Sequence, residues 1–492
     1  MNNRKNFISA LILQIITILH GLILPRVIIG TFGSDVNGLV SSITQFLSFI
    51  SLLEGGLGAV VLAELYKPIE DRNDEQIRQI VSACQNFFRK LGLLFVAYVV
   101  GLAVIYPLLF VTEFKFTYVS TLILILSVST FVQYMFAITN KLLLQAQQKL
   151  YIVNFITSLT LILNLSLALI IIFYFPNIHL VKLVSSLIFL IQPFVYDSLV
   201  ERKFKKNLKG VVSNDAQPLK NRWDGFAQNL AHFVNMNIST VLITIFLSLS
   251  DVSVYAVYML AMNALRSLIS NVANSYQSAL GKYYAENDLN NLKRRFSQFE
   301  KSNFCISTVL FTTCLLLINP FVKLYTTGVT DANYYSPYFA VIMVFAVLLY
   351  CIREPYRLLV LAAGKFKETT FGAVMEAVIT LTVSLVLVVT IGLPGIAIGA
   401  FCGITYRLLY FVRFLKKEVL YAGYRRYIQQ ILCFTIVGVL NLVLYRTLDV
   451  TASNYFVFCI YGVIIVIAEF VIYIGIYYAV SMISKLATRK HA

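Results

Sequence analysis

Residues 7–29 read FISALILQIITILHGLILPRVII, an apolar run interrupted by only a few polar side chains. A helix needs about 20 such residues to cross the ~30 Å hydrocarbon layer of a membrane. Only helices and closed barrels satisfy their backbone hydrogen bonds there, and barrel strands need only ~10 residues. The run is also too long for a signal-peptide core and lacks an obvious small-residue cleavage site. It therefore predicts an uncleaved transmembrane helix.

Runs of the same kind recur along the whole chain. Hydrophobic residues make up 59% of the 492 residues and charged residues 13%, against about 45–50% and 25% in soluble domains. The pattern predicts an all-α polytopic membrane protein with about fourteen transmembrane helices. These predicted spans, numbered 1 to 14 in chain order, are 7–29, 36–62, 91–111, 117–140, 151–175, 179–199, 226–248, 253–279, 303–325, 337–361, 369–391, 395–413, 428–446 and 455–480.

The net charge of +17 is distributed unevenly between the loops. The loops after even-numbered spans and the C-terminal tail carry most of the Lys and Arg residues. The opposite loops hold only Lys115, Lys182, Lys323 and Arg446. This asymmetry follows the positive-inside rule and predicts that both termini are cytoplasmic. It accounts for the basic charge without nucleic acid, for which there is no separate signal.

A basic stretch divides the chain after span 6. Residues 201–224, ERKFKKNLKGVVSNDAQPLKNRWD, predict a cytoplasmic linker between an N-lobe (1–200, spans 1–6) and a C-lobe (225–427, spans 7–12). Sliding the chain by 216 residues places Ser34-Asp35-Val36 on Ser250-Asp251-Val252, each at the start of a span. An offset of six helices keeps orientation, so we expect parallel repeats about an axis along the membrane normal. Residues 428–492 add spans 13 and 14 and a tail.

Ionisable side chains inside the spans are the candidate functional residues. A charge at the bilayer centre costs about 2.5–3.5 kcal/mol on insertion scales, so such residues face a bundle interior or a wet cavity. Glu376 and Glu469 are isolated acidic residues, and we expect each carboxylate to have a structural pairing partner. The candidates for a substrate-binding cavity are Arg26, Glu54, Arg266, Arg353, Arg357 and Arg407.

Arg266 lies mid-helix with no acidic residue in its own span. It therefore either pairs with a neighbouring helix or binds an anion in a cavity. Under the 216-residue offset it corresponds to Ile50, one turn before Glu54 on the same helix face. The repeat thus predicts that Arg266 and Glu54 face each other across the two lobes.

The other arginines have structural alternatives of their own. Arg26, near the outer end of span 1, can extend to the interface. Arg353, Glu354 and Arg357 predict a local ion-pair network. Arg407 continues a glycine stripe, Gly395, Gly399 and Gly403, whose spacing is typical of close helix packing.

Several function classes lack a signal. No Walker A sequence is present, so ATP is not the expected driver. The four His residues are not spaced as metal ligands, and the seven Cys residues form no Cys-x-x-Cys pair. We therefore expect neither a cofactor nor an enzymatic activity.

Residues 24–58, LPRVIIGTFGSDVNGLVSSITQFLSFISLLEGGLG, resemble the Wzx-type polysaccharide exporters of the multidrug/oligosaccharidyl-lipid/polysaccharide (MOP) superfamily. The resemblance implies two lobes around a cavity lined by spans 1, 2, 7 and 8. It implies alternating access that carries undecaprenyl-pyrophosphate-linked oligosaccharide to the outer leaflet of a bacterial cytoplasmic membrane, for surface polysaccharides such as capsule. Arg26 and Arg266 lie in the spans whose arginines matter in the related lipid II flippases. Spans 13 and 14 would form a groove for the lipid tail.

Two other functions stay open. A cation-coupled drug or ion antiporter of the same superfamily would often use an acid in span 1, which this chain lacks. A membrane polysaccharide polymerase or glycosyltransferase would carry catalytic groups in a long outer loop. The outer loops are short, the longest being around 325–336 and 446–455. The implied partners are lipid-linked oligosaccharide, membrane lipids, and a polymerase and glycosyltransferases of the same pathway.

Overall fold

The computed structural model describes residues 2–54, 57–110, 113–208, 226–365, 367–421, 423–447 and 450–489. Throughout these ranges the regular secondary structure is helical and contains no strand. The chain divides into two compact units, Met1–Leu230 and Ala231–Ala492. The predicted linker 201–224 starts within the helix Ile191–Leu208, and its residues 209–224 lie outside the described ranges. The linker therefore stays a prediction.

The first unit contains the helices of spans 1 to 6. Two short irregular turns, a 3₁₀ turn at Ser48–Ile50 and a π-helical turn at Gln133–Ala137, interrupt spans 2 and 4. The α-helices run Asn2–Phe32, Ser34–Leu47, Ser51–Glu54, Leu57–Glu70, Asp74–Phe110, Phe116–Val132, Ile138–Ala146, Leu150–Tyr174, Ile178–Phe189 and Ile191–Leu208.

The second unit contains most of the helix of span 7 and the helices of spans 8 to 14. Span 10 is divided in two at Arg353, because Pro355 lacks the backbone N–H that a continuous helix requires. The helices run Phe226–Phe246, Leu249–Ala285, Leu289–Tyr325, Pro337–Ile352, Glu354–Ala362, Thr370–Ile391, Leu393–Glu418, Arg425–Thr447 and Tyr455–Arg489.

The predicted class of polytopic helical membrane protein is confirmed. Among the described residues, thirteen helices are long and apolar enough to cross a membrane, and span 7 corresponds to the shorter apolar helix Leu230–Phe246. Several helices are longer than the predicted spans. Leu289–Tyr325 begins fourteen residues before span 9, because Asp288 caps its N-terminus by accepting a hydrogen bond from the Asn291 amide at 3.1 Å. Hydropathy detects the apolar part of such a helix and misses its polar first turns.

Large apolar side chains cover the outside of the helices. Phe173 and Leu108, for example, expose 81% and 67% of their surface. Scattered exposed apolar residues are normal on soluble proteins, but large contiguous apolar surfaces are not. This surface is the one expected of helices in contact with lipid chains.

Spans 11 and 12 approach each other closely along the glycine stripe. A Cβ atom on Gly399 would lie 2.7 Å from the backbone nitrogen of Ser384, and one on Gly403 would lie 3.0 Å from the carbonyl oxygen of Glu376. Only glycine permits backbones to approach so closely. The predicted close helix packing is confirmed, and it brings Arg407 next to span 11.

Candidate functional site

A well-defined N-terminus positions the helix of span 8. Ser248 precedes the helix, and its hydroxyl accepts a hydrogen bond from the Asp251 amide at 3.1 Å. The Asp251 carboxylate in turn accepts from the Ser248 amide at 3.1 Å, which completes a capping box. Arg266 follows Asp251 by about four turns of this helix. The repeat-matched residues Ser34 and Asp35 also lie in the first turn of a helix, as predicted.

Arg266 is half-buried and contacts uncharged side chains. Its Nη1 atom lies 3.1 Å from the sulfur of Met236, and its guanidinium carbon lies 5.2 Å from the centre of the Tyr350 ring. No Asp or Glu within the described ranges comes within 4 Å of it. These contacts place the guanidinium without neutralising it.

The guanidinium of Arg266 borders a small cavity of about 60 Å³, whose lining is largely apolar with a few polar groups. Ser239, Tyr255 and Thr380 also line this cavity. Asn235 contributes a carbonyl oxygen that is buried and has no hydrogen-bond partner among the described residues. A space of this size suits water molecules, which would hydrate the arginine in the absence of a ligand.

Glu376 also lines this cavity, and it forms a group with two buried arginines that partly neutralises its charge. The carboxylate of Glu376 lies 2.8 Å from Arg353 Nη1 and 3.5 Å from Arg407 Nε. Arg407 also donates to the carbonyl oxygen of Thr369 at 2.8 Å. All three charged side chains are nearly fully buried. The structural pairing predicted for Glu376 is therefore observed, with arginines from spans 10 and 12.

Arg357 forms a separate pair. Its Nη2 atom lies 2.7 Å from Oε2 of Glu354, three residues earlier. The local network expected at the break in span 10 is thus only partly formed, because Arg353 pairs with Glu376 instead. Ion pairing favours a structural role for Arg353, Arg357 and Arg407, and their assignment to substrate binding remains untested.

Arg26 and Glu54 belong to the first unit. The Arg26 guanidinium lies along its own helix next to Gly30, where a Cβ atom would come within 3.1 Å of Nη1. Glu54 is half-buried, and its carboxylate interacts electrostatically with the positive charge of Lys141. Arg266 belongs to the second unit, so the expected approach of Glu54 to Arg266 stays a prediction.

Sequence reasoning missed Tyr350, Met236 and Asn235 as neighbours of Arg266. Asn235 had a detectable signal, since it is a strongly polar side chain within the apolar run of span 7. Tyr350 and Met236 had none, because an aromatic residue or a methionine in an apolar span is ordinary. Their placement depends on how spans 7, 8 and 10 pack.

Comparison with solved structures identifies the architecture. A lipid II flippase, MurJ, in an inward closed conformation superposes with a TM-score of 0.72 at 16% identity, over 96% of this chain and 98% of the flippase. An inward-facing multidrug transporter of the MATE family of the MOP superfamily gives 0.62 at 16% identity, over 82% and 96%. The MATE multidrug transporter DinF-BH gives 0.62 at 15% identity, over 85% and 96%.

The chain has the fold of the MOP-superfamily transporters. No protein-family profile matches the sequence. No curated protein matches it either. The likeness to MOP transporters is thus one of fold, and it includes both lipid flippases and drug exporters.

Proposed function

We propose that this MOP-fold protein is a flippase that carries undecaprenyl-pyrophosphate-linked oligosaccharide from the inner to the outer leaflet of the bacterial cytoplasmic membrane. Alternating access of the two lobes would move the headgroup, for the synthesis of surface polysaccharide. The observation that carries the proposal is the lack of a carboxylate beside Arg266 among the described residues. Of the four candidate arginines in spans 7 to 12, it alone has no acidic partner in the described part of the second unit.

The chemistry of the substrate fits an unpaired arginine. A pyrophosphate headgroup must cross the hydrocarbon with its negative charge, and guanidinium offers a permanent charge with a bidentate hydrogen-bonding geometry for phosphate. An inside-negative potential favours outward movement of an anion by about 2.3 kcal/mol per charge per 100 mV. Arginine in the path would lower the remaining cost of desolvation.

A cation-coupled drug antiporter is the second candidate, and Glu54 is the observation that favours it. This half-buried acid on span 2 has no ion pair within 4 Å among the described residues. It could therefore bind a proton or a cation. Glu376 is unsuited to this role, since two arginines already neutralise its carboxylate.

Substitution of Arg266 tests the proposal. In proteoliposomes that contain lipid-linked oligosaccharide, we expect Arg266→Gln to abolish flipping. Arg266→Lys should retain part of it, because lysine keeps the positive charge but lacks the bidentate hydrogen-bonding geometry of guanidinium. Arg294→Gln, which alters an exposed arginine between spans 8 and 9, is the matched control and should flip at the unchanged rate.

Wild-type flipping by Arg266→Gln would disprove the assignment. Loss of the folded protein from the membrane would instead support the structural alternative for Arg266. Proton- or sodium-driven drug export that requires Glu54, without movement of lipid-linked sugar, would establish the antiporter.

A further inference from the structure

A second and much larger cavity lies within the unit Ala231–Ala492. Its volume is about 970 Å³, at the upper end of the range of small-molecule binding sites. The end of span 9, the following segment 326–335 and the end of span 13 with residues 450–453 form its walls. By the distribution of Lys and Arg, all of these segments belong to the predicted outer side of the membrane.

Among the described residues that line this outer cavity, the charged groups are both positive. Lys323 and Arg446 both border it, and no Asp or Glu is among its described lining residues. Both side chains are exposed, and neither has an ion-pair partner within 4 Å in the described part of the chain. They are two of the four basic residues on the predicted outer side. Half of the sparse outer positive charge therefore converges on one cavity.

Neutral polar and aromatic groups complete the lining. Asn319 donates from Nδ2 to the Tyr445 hydroxyl at 2.6 Å, and its Oδ1 atom is buried with no hydrogen-bond partner among the described residues. The ring of Tyr335 is exposed at the cavity wall. An unsatisfied amide oxygen and an open aromatic ring suit the hydroxyl groups and the apolar faces of sugars.

Hydrogen bonds attach the cavity wall to the helix that carries Arg266. Tyr334 is buried, and its hydroxyl lies 2.8 Å from the hydroxyl of Ser253 on span 8. The Tyr258 hydroxyl, also on span 8, donates to the Tyr334 carbonyl oxygen at 2.9 Å and accepts from the Ser336 amide at 3.0 Å. Span 8 therefore holds this part of the wall in place.

We propose that the outer cavity is an exit site that binds the diphosphate-sugar headgroup through Lys323 and Arg446 after it leaves Arg266. Two cations match the charge of a diphosphate better than one, so transfer of the headgroup from Arg266 to the outer site is favourable. The order of the two sites rests on the proposed flippase function. The affinity of the outer cavity for a diphosphate is independent of that proposed function.

A labelling-protection experiment tests this binding. Ser453→Cys places a thiol at an exposed position of the cavity lining, in a background in which the exposed Cys459 is replaced by serine. The full chain in lipid nanodiscs is treated with a hydrophilic maleimide, with and without inorganic pyrophosphate or a sugar diphosphate at constant ionic strength. We expect both ligands to slow labelling.

The basic residues are tested in the same assay. In Lys323→Gln/Arg446→Gln the pyrophosphate concentration that gives half-protection should rise at least about tenfold, since the charge-assisted hydrogen bonds of both cations are lost. Lys115→Gln removes an exposed positive charge on the same predicted side but outside the cavity, and should keep protection unchanged. The melting temperature of each variant verifies folding.

Each result bears on one proposal separately. Absence of protection, or equal protection in the double variant, overturns the exit site even if Arg266→Gln abolishes flipping. Protection that requires Lys323 and Arg446 and persists in Arg266→Gln supports it. If that protection is found while Arg266→Gln flips normally, the outer site stands and the assignment of Arg266 fails.

Discussion

Four arginines of the second unit show how neighbours determine the role of one residue type. Arg353 and Arg407 share the carboxylate of Glu376, and Arg357 pairs with Glu354. Arg266 instead contacts the sulfur of Met236 and the ring of Tyr350, and it has no ion pair with a described acidic residue. A buried ion pair is sensitive to the loss of either member, because the remaining charge is left uncompensated. An unpaired guanidinium at a cavity is instead available to a ligand.

Removal of the shared carboxylate should destabilise the second unit. Glu376→Gln leaves Arg353 and Arg407 buried without a counter-charge, and we expect a loss of about 3–5 kcal/mol. The melting temperature of the purified protein measures it. Glu368→Gln removes the same charge from an exposed pair with Lys365 and should leave the melting temperature unchanged. Equal stability of both variants would show that the buried pairs contribute nothing.

Helix pairs in this fold are held by shape and by buried polar contacts. Spans 11 and 12 meet along Gly399 and Gly403. Spans 9, 13 and 14 meet at Glu469, whose Oε2 accepts hydrogen bonds from Thr312 and Asn441 at 2.9 Å each. Structural pairing was predicted for Glu469, and the partners are neutral donors from two other helices. Both devices suit a lipid environment, where apolar burial does not drive helices together.

A methyl group added to the glycine stripe should separate spans 11 and 12. Gly399→Ala would bring Cβ against the Ser384 backbone, and we expect a cost of about 1–3 kcal/mol, as in other overpacked contacts. Gly475→Ala on span 14 meets no atom within 4 Å. It should be neutral or slightly stabilising, since alanine is the better helix former. A melting temperature of Gly399→Ala equal to that of Gly475→Ala would contradict the close packing.

At the scale of the whole molecule, the charge distribution predicts the orientation in the membrane. The loops after even-numbered spans hold most of the Lys and Arg residues, and translocation machinery retains such loops in the cytoplasm. Orientation matters for the mechanism, because it places the outer cavity on the side where the headgroup would be released. The location in the cytoplasmic membrane and the cytoplasmic termini are part of the same proposal.

Cysteine labelling of intact cells should reveal this orientation. We expect a membrane-impermeant maleimide to label Thr330→Cys, in the loop after span 9, and to label Glu286→Cys, in the loop after span 8, only after permeabilisation. Both residues are exposed. Position 210, outside the described residues, should behave like position 286. Labelling of 286 or 210 but not 330 in intact cells would reverse the orientation.

The sequence by itself determined the class of the protein and the approximate position of its helices, since hydropathy is a local property. It also identified Arg266, because a charge within an apolar run is visible without any partner. Hydropathy did not detect the polar first turns of the helix Leu289–Tyr325. Their start is set by an N-terminal capping residue and not by the length of an apolar run.

Only the tertiary structure decided which charges neutralise each other. Glu376 is 23 residues from Arg353 and 31 from Arg407, and its pairing with both follows from how spans 10, 11 and 12 pack together. The outer cavity likewise combines Lys323 of span 9 with Arg446 of span 13. Ion pairs and cavities form between different helices, so their energies depend on packing and not on the local sequence.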